Sequence, residues 1–303
     1  CTEAVLAGAL VYSQKHGLRN LPVITGLTNT YWHRAQTANY THSRNWKLGL
    51  RMFMDDVRAL TDPGSPYADL RVMVHMDHIQ WDADSELLAG DLGAFSSIMF
   101  DASTLPFEEN IRRTAAFTEK HRKHIFIEGA CDEIKEATEQ GTSAFTTPDM
   151  AQRFCAETGV DIIVANLGTE HRATAANLHY HGEVAREIKK RIGTRICLHG
   201  TSSVPYDQLR SLFNDGIMKV NIWTALERDS SPVLLQEMVR NAGKVAGGSN
   251  AATLAAAGFL GERADQVGPA SLTHYTTMYR QDIVFREMKR SVGRFLELWY
   301  TSL

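Results

Sequence analysis

The segment VHMDHIQWDAD, Val74 to Asp84, sets two histidines and a carboxylate, His75, Asp77 and His78, within four residues. They close an apolar run, RVMVHM (71–76), that reads as a buried strand. Imidazole beside carboxylate suits metal ligation or proton transfer. The same residue types recur at the ends of other apolar runs: Asp101 after FSSIMF (95–100), Glu128 closing HIFIE (124–128), His171 after DIIVANL (161–167), His199 closing RICLH (195–199) and Asn221 in IMKVNI (217–222). A lone histidine at a strand end is more often structural than a ligand. Three of them from three runs, His78, His171 and His199, with carboxylates between, suit zinc or a similar borderline divalent ion with one position open. An open position lets the ion hold and polarise a substrate oxygen. His75, one strand repeat before Asp77, is expected to pack or to support the site rather than to bind the ion.

For these residues to meet, the strands carrying them must end on one side of one sheet. Thr2 to His16 has helical spacing in Val5, Leu6, Ala9 and Leu10, LPVITGL (21–27) reads as a buried strand, and Asn45 to Leu60 as a helix through Leu48, Leu50, Met52, Phe53 and Val57. Thr147-Pro148-Asp149 signals a helix start, and Pro205 another. The strand runs are continuous in hydrophobicity, as in strands buried on both faces. Strand–helix alternation predicts a parallel α/β fold. Seven strands in one series predict a (β/α)8 TIM barrel, with its first strand ahead of Cys1, where the sequence begins without methionine. A doubly wound open sheet is the rival, but no Gly-rich phosphate turn opens the chain. Residues 249–260 and 274–300 are expected as extra C-terminal helices. No repeat, low-complexity tract or linker appears, so residues 1–303 read as a single domain. A barrel's catalytic groups lie at the C-terminal strand ends, where these side chains fall.

HGTSS (199–203) and VNIWT (220–224) put small and hydroxyl residues after the last two strands. Barrels often bind phosphate there through backbone N–H groups, and ordinary polar loops are the alternative. A net charge of -3 with 22% charged and 44% hydrophobic residues argues against a nucleic-acid partner. Cys1, Cys131, Cys155 and Cys197 form no CxxC pair, which argues against a disulfide framework or thiolate zinc knot and for a reducing cytoplasm. No run approaches the roughly 20 apolar residues of a membrane span and no secretion signal is visible, so no membrane partner is expected. The basic amphipathic stretch YRQDIVFREMKRSVGRF (279–295) reads as a solvated outer helix or a subunit contact.

Together these segments resemble the class II, metal-dependent fructose- or tagatose-bisphosphate aldolases. HMDH (75–78) matches the family's H-x-D-H, and SIMFDASTLPFEENIRRT (97–114) resembles its S-V-M-I-D-A-S-x-L-P-F-E-E-N-I. IEG (127–129) stands for V-E-A, and TPDMAQRFCAETGVDIIVANLGTEH (147–171) matches the T-x-P to G-x-x-H stretch. CLHGTSSVP (197–205) matches L-H-G-x-S-G-x-P, and GIMKVNIWT (216–224) matches G-I-x-K-I-N-x-x-T. The match spans roughly residues 71–224 in order. The resemblance implies His78, His171 and His199 as ligands of Zn2+ or another divalent metal. It implies Asp77 as the acid/base that protonates the aldehyde oxygen when the carbon–carbon bond forms, and Asn221 as a catalytic neighbour of the enediolate. Asp101 and Glu128 match positions of an alternative or second metal site. Gly200, Thr201, Ser202, Asn221 and Thr224 match phosphate-binding groups. The activity implied is a lyase reaction of carbohydrate metabolism, cleavage or formation of a carbon–carbon bond in a phosphorylated ketose through a metal-stabilised enediolate of dihydroxyacetone phosphate. A cytoplasmic homodimer or homotetramer is implied as well.

The chain departs from the family pattern in four places. Arg172 replaces the glycine after the second metal histidine, within the phosphate loop, where it either pairs with the anion or blocks it. Ser203 replaces the last glycine of H-G-x-S-G. The lid motif E-A-E-x-G becomes EGACDEIKEATEQG (128–141), with Ala130 at the second glutamate; Glu133, Glu136 or Glu139 can substitute, or form a solvated helix face. TNTYWHRAQTANYTHSRNWKLGLRMF (28–53) has no family counterpart, and its His33, Arg34, His42 and Arg44 belong either to a different substrate pocket or to an exposed loop. Two other functions stay open: a different enediolate reaction, epimerisation or decarboxylation of a sugar or sugar-acid phosphate, and an inactive binding or assembly protein. The intact ligand set argues against the latter.

Overall fold

All seven apolar runs form strands, and every neighbouring pair is parallel, giving one sheet in the order β1 to β7. The structure, a computed structural model, describes residues 2–31, 34–132, 145–169 and 180–300. Helix α1 (Thr2–Lys15) precedes β1 (Pro22–Thr28), α2 (Trp46–Thr61), β2 (Arg71–Gln80), β3 (Ser97–Asp101), α3 (Phe107–His121) and β4 (Phe126–Ala130). Then come α4 (Pro148–Thr158), β5 (Ile162–Val164), α5 (Gly182–Ile192), β6 (Ile196–Leu198) and β7 (Ile217–Val220). The longer elements after the sheet are helices, α6 (Thr224–Arg240), α7 (Gly248–Ala256) and α8 (Thr277–Trp299); the last two match the helices expected over 249–260 and 274–300.

Local chemistry explains the helix boundaries. The Asn45 side chain accepts a hydrogen bond from the Leu48 N–H and starts α2, and Thr147 does the same for Met150 at the head of α4, with Pro148 in the first turn. Gly159, at φ 67°, ends α4 in the left-handed conformation. Helix α2 buries Gly49, Phe53 and Val57, a stripe at four-residue spacing, whereas Met52 is 42% exposed.

Four expectations change. Strand β2 runs four residues beyond 71–76, to Gln80, and β5 keeps only Ile162–Val164, because Asn166 leaves the sheet to pair with Thr146. Strand β1 alternates between exposed and buried positions rather than being buried on both faces. No helix starts at Pro205; short 3₁₀ turns occupy Thr201–Ser203 and Leu209–Ser211 instead.

The chain divides into two compact units, one of residues 17–222 with 297–300 and one of residues 2–16 with 223–296. The first holds the whole sheet. Ile98, Ile127, Ile163 and Ile196 on its central strands are fully buried, as are Phe154 of α4 and Ile188 of α5; each such side chain contributes roughly 1.5–3 kcal/mol. Gly129 in β4 is explained by this packing, since a Cβ there would meet Phe154 Cε1 and Val160 Cγ1, both at 2.9 Å. Side chains of β2 and the β7 end meet directly, with Asn221 Nδ2 donating to Asp77 Oδ1 at 3.0 Å, so the sheet curls around the site. The second unit is helical. Its α1 lies close on α8 at Gly8, where a Cβ would meet Val292 Cβ at 2.7 Å, and Ala242, Ala251 and Ala264 cluster with Val239 and Leu260. Among the described residues no helix is long and apolar enough to cross a membrane.

Candidate active site

Neighbouring residues of a regular strand point to opposite faces, so Asp77 and His78 should not share a site. A bulge in β2 removes the conflict. His75 and Met76 pair with Ser97 and Ile98, and Ile79 and Gln80 with Phe100 and Asp101, leaving Asp77 and His78 together opposite Met99. His78 takes a left-handed backbone, φ 48°, which a residue other than glycine adopts at a cost. Both side chains are buried. A second register shift, between β6 and β7, turns Met218 outward at 54% exposure and sets Lys219 opposite Cys197. Two-residue periodicity then brings Cys197 and His199, and Lys219 and Asn221, to the same side as His75 and Asp77.

Each site histidine is tied to its own carboxylate. His78 Nδ1 lies 2.8 Å from Asp101 Oδ2, and His199 Nε2 lies 3.1 Å from Glu128 Oε1. Asp101 Oδ2 also accepts from Gln80 Nε2 at 3.1 Å, and its Oδ1 accepts from the Ser103 N–H at 3.1 Å and the Ser103 hydroxyl at 2.6 Å. Burial disfavours this carboxylate, but His78 and Ser103 outweigh it and bring its pKa down to about 2. Burial likewise opposes ionisation of Glu128, but Lys219, with Nζ 2.8 Å from Oε2, and His199 hold it well below the usual carboxylate range. An ionised carboxylate only accepts, so it keeps a proton on the nitrogen it faces. The remaining nitrogens, His78 Nε2 and His199 Nδ1, face each other at 3.1 Å. Two lone pairs aimed at one point require a cation or a proton between them, which is the donor chemistry of a divalent metal site. Burial lowers both imidazoles. At His78, Asp77 and Asp101 reverse this and raise its pKa, whereas that of His199 stays lowered. The residue able to carry the intervening proton is therefore His78.

Ligand atoms of Asp77, His78 and His199 lie within 4.8 Å of one another, so these three can hold an ion. Burial of Asp77 favours its neutral form, but His78, His75, His199 and Arg34 outweigh this and hold it well below the ordinary value. Arg34 Nη2 donates to Asp77 Oδ2 at 3.0 Å. This arginine arrives on the loop after β1, which buried Asp84 anchors by accepting from Asn29 Nδ2 at 2.8 Å, the Thr30 N–H at 3.1 Å and the Thr30 hydroxyl at 2.5 Å. The same Asp84 accepts from the Gln80 N–H at 2.8 Å, tying the loop to the end of β2. Tyr31, on that loop, stacks on the His78 ring at 4.4 Å between centroids.

Of the residues expected at the site, Asp77, His78, Asp101, Glu128, His199 and Asn221 form one buried or half-buried network. Asp101 and Glu128 face different histidines, and no group of possible metal ligands among the described residues contains both. Gly200, at φ 66°, leads His199 into the turn of Thr201 and Ser202, and the Thr201 hydroxyl donates to the Asn221 carbonyl at 2.7 Å. Thr224 begins α6 in the helical unit. His171, Arg172, His33, Glu133, Glu136 and Glu139 lie outside the described residues. His42 and Arg44 are exposed, and Arg34 alone of that segment's described basic residues is placed here at the site. His75 supports rather than faces the metal donors, with Nδ1 2.8 Å from Ser97 Oγ and Nε2 3.3 Å from Lys219 Nζ. Lys219 itself was not anticipated as a site residue. Its signal was a lysine inside an apolar strand, one strand repeat before Asn221. Burial opposes its charge, but Cys197, Glu128 and Asp77 raise its pKa.

The chain is 30% identical over 167 residues to the D-tagatose-1,6-bisphosphate aldolase subunit GatY of Klebsiella oxytoca, covering 52% of this chain and 57% of that protein. It is 34% identical over 149 residues to a fructose-bisphosphate aldolase of Giardia intestinalis, covering 46% of this chain and 45% of that one. The chain thus spans about half the length of the curated relatives it matches. The crystal structure of the fructose-bisphosphate aldolase from Campylobacter jejuni superposes with a TM-score of 0.73 over 98% of this chain and 86% of that one; at 17% identity this likeness speaks for the fold alone. Residues 18–268 match the family model described as fructose-bisphosphate aldolase class-II, and the chain belongs to that family.

Proposed function

We propose that the protein is a metal-dependent aldehyde-lyase that cleaves and forms a carbon–carbon bond in a phosphorylated ketose, with dihydroxyacetone phosphate as the ketone product. The observation that carries this reading is the pair of opposed nitrogens, His78 Nε2 and His199 Nδ1, each on a ring whose other nitrogen faces an ionised carboxylate. His171 completes the proposed ligand set, and three imidazole nitrogens with a fourth position open suit zinc. When bound, the ion supplies Lewis-acid polarisation of the ketose carbonyl. The chain's own residues do the rest. Asp77, held ionised, accepts the proton of the hydroxyl next to the breaking bond and returns it to the aldehyde oxygen in the reverse direction; the carbon left with the bonding electrons takes up one proton, from a glutamate of segment 128–141 or from water, to give dihydroxyacetone phosphate. Asn221 Nδ2, already oriented by its bond to Asp77, donates to the oxygen that gains charge. Gly200, Thr201, Ser202 and Arg172 receive the phosphate. A closed eight-stranded barrel, a homodimer or homotetramer and a cytoplasmic location complete the proposal.

The test is release of triose phosphate from fructose 1,6-bisphosphate and tagatose 1,6-bisphosphate by protein loaded with zinc. Release that stops on chelation is expected. Folded, metal-loaded protein that releases none from either substrate overturns the reading. The Arg34–Asp77 pair favours a second reading, because a cation beside the acid/base can receive a substrate carboxylate. Decarboxylation or epimerisation of a sugar-acid phosphate, without triose phosphate release, would decide for it.

A further inference from the structure

The ammonium of Lys219 sits in a buried position that is otherwise lined by metal-binding atoms. Nζ is 2.8 Å from Glu128 Oε2, 2.7 Å from Asn221 Oδ1, 3.3 Å from His75 Nε2 and 3.5 Å from Cys197 Sγ. Three protons of an ammonium match the two oxygens and the imidazole nitrogen, with the sulfur as a fourth neighbour. Two of the three groupings able to hold an ion among the described residues adjoin this position and share Glu128: Glu128–Cys197–His199 and His75–Asp77–Glu128. Both groupings are fully buried. Oxygen, nitrogen and sulfur donors together would suit a borderline divalent ion.

We infer that Lys219 is a tethered cation occupying what would otherwise be a second metal position, so that the chain holds one divalent ion and uses the ammonium to position Glu128 and Asn221. The inference rests on the reading of His78 and His199 as metal ligands. Two bonds transmit the positioning. Glu128 Oε2 on the ammonium leaves Oε1 facing His199 Nε2, and Asn221 Oδ1 on the ammonium leaves Nδ2 facing Asp77. Lys219 is thus a positioning residue, acting through its neighbours. A divalent ion at the same point would bear twice the charge and would coordinate rather than donate hydrogen bonds. The Glu128 and Asn221 oxygens would turn toward it, and the proton on His199 Nε2 would lose its acceptor.

Cobalt distinguishes the two positions, because only the one at Lys219 offers a thiol, and a thiolate bound to cobalt gives a charge-transfer band in the near ultraviolet. Wild-type protein titrated with cobalt is expected to take up one ion per chain without that band. Lys219→Ala should take up one more ion than wild type and gain the band, and Lys219→Ala with Cys197→Ser should lose it again. Lys219→Ser serves if the alanine variant does not fold, with circular dichroism as the check. Two ions or a thiolate band in wild type overturn the inference whatever the variants do, as does a folded Lys219 variant that gains neither ion nor band. The metal reading fails separately: wild type without any ion, beside a Lys219 variant that binds one through Cys197, would remove the role of His78 and His199 and leave the plugged position standing.

Discussion

Replacing Asp101 with asparagine should weaken binding of the divalent ion about ten-fold, and replacing it with alanine about a hundred-fold, the range seen when a partner behind a metal-binding histidine is removed. The geometry sets the order. Asp101 accepts on both oxygens, from His78 Nδ1 and Gln80 Nε2 on one side and from the Ser103 N–H and hydroxyl on the other. An asparagine offers one acceptor oxygen and must place its NH2 against one pair of donors. The Ser103 hydroxyl can turn and accept, whereas His78 Nδ1–H cannot, so the amide oxygen goes to His78. The proton stays on Nδ1, held by a neutral acceptor roughly half as strong as the carboxylate. Alanine leaves no acceptor, so the proton can move to Nε2, where it competes with the ion. The losses correspond to about 1.4 and about 2.8 kcal/mol. Competition against a chromophoric zinc chelator measures both, with the urea midpoint as control for folding. An alanine variant that binds zinc as tightly as wild type, or more tightly than the asparagine variant, refutes the reasoning.

Asp77→Ala should keep its metal while triose phosphate release falls roughly 100- to 10,000-fold, the scale of a lost acid–base group; metal analysis showing loss of the ion would instead make Asp77 a ligand. Asp84→Ala strips the acceptor from four donors of Asn29, Thr30 and Gln80, and should cost about 3 kcal/mol in urea unfolding after partial rescue by water; a change under about 0.5 kcal/mol would show that the anchor is not needed. In metal-free protein, Asp101 has a folded pKa of about 2 against an ordinary 3.8, so its stabilisation is present above 3.8 and is lost as pH falls through about 2. The acid limb of wild-type stability should therefore fall by about 2 kcal/mol more than that of Asp101→Asn over this interval, and parallel limbs would contradict it.

The sheet was legible because seven runs of β-branched and apolar residues are separated by helix-start signals such as Asn45 and Thr147, and their order in the chain is their order in the sheet. Asp77, His78, His199 and Asn221 were legible from strand ends alone. What the sequence hid was partnership. Nothing in the spacing of Asp101 and Glu128 says that each supports a different histidine, because that depends on the curl of the sheet. Arg34 was ambiguous because a polar loop looks the same whether it folds inward or outward; a buried anchor 50 residues later in the chain, Asp84, decides it. Lys219 was overlooked because a lysine is normally a surface residue, and only the cluster of Glu128, Asn221 and His75 around it makes burial tolerable.

The bulge in β2 bears on how such a site can be transplanted. Grafting histidine and aspartate side chains onto the strand ends of another parallel sheet would copy the residue types and lose the site, because a regular strand would send Asp77 and His78 to opposite faces. The unit of transfer is the backbone itself: two residues opposite one, with φ of 48° at the histidine. That same unit makes the segment intolerant of insertions and deletions. Loss of a single residue between Met76 and Ile79 would straighten the strand and convert a two-residue site into a one-residue one, with the rest of the sheet undisturbed. Glycine or asparagine at position 78 would relax the strand and raise stability while removing the proposed ligand, so selection for stability alone would erode this position first.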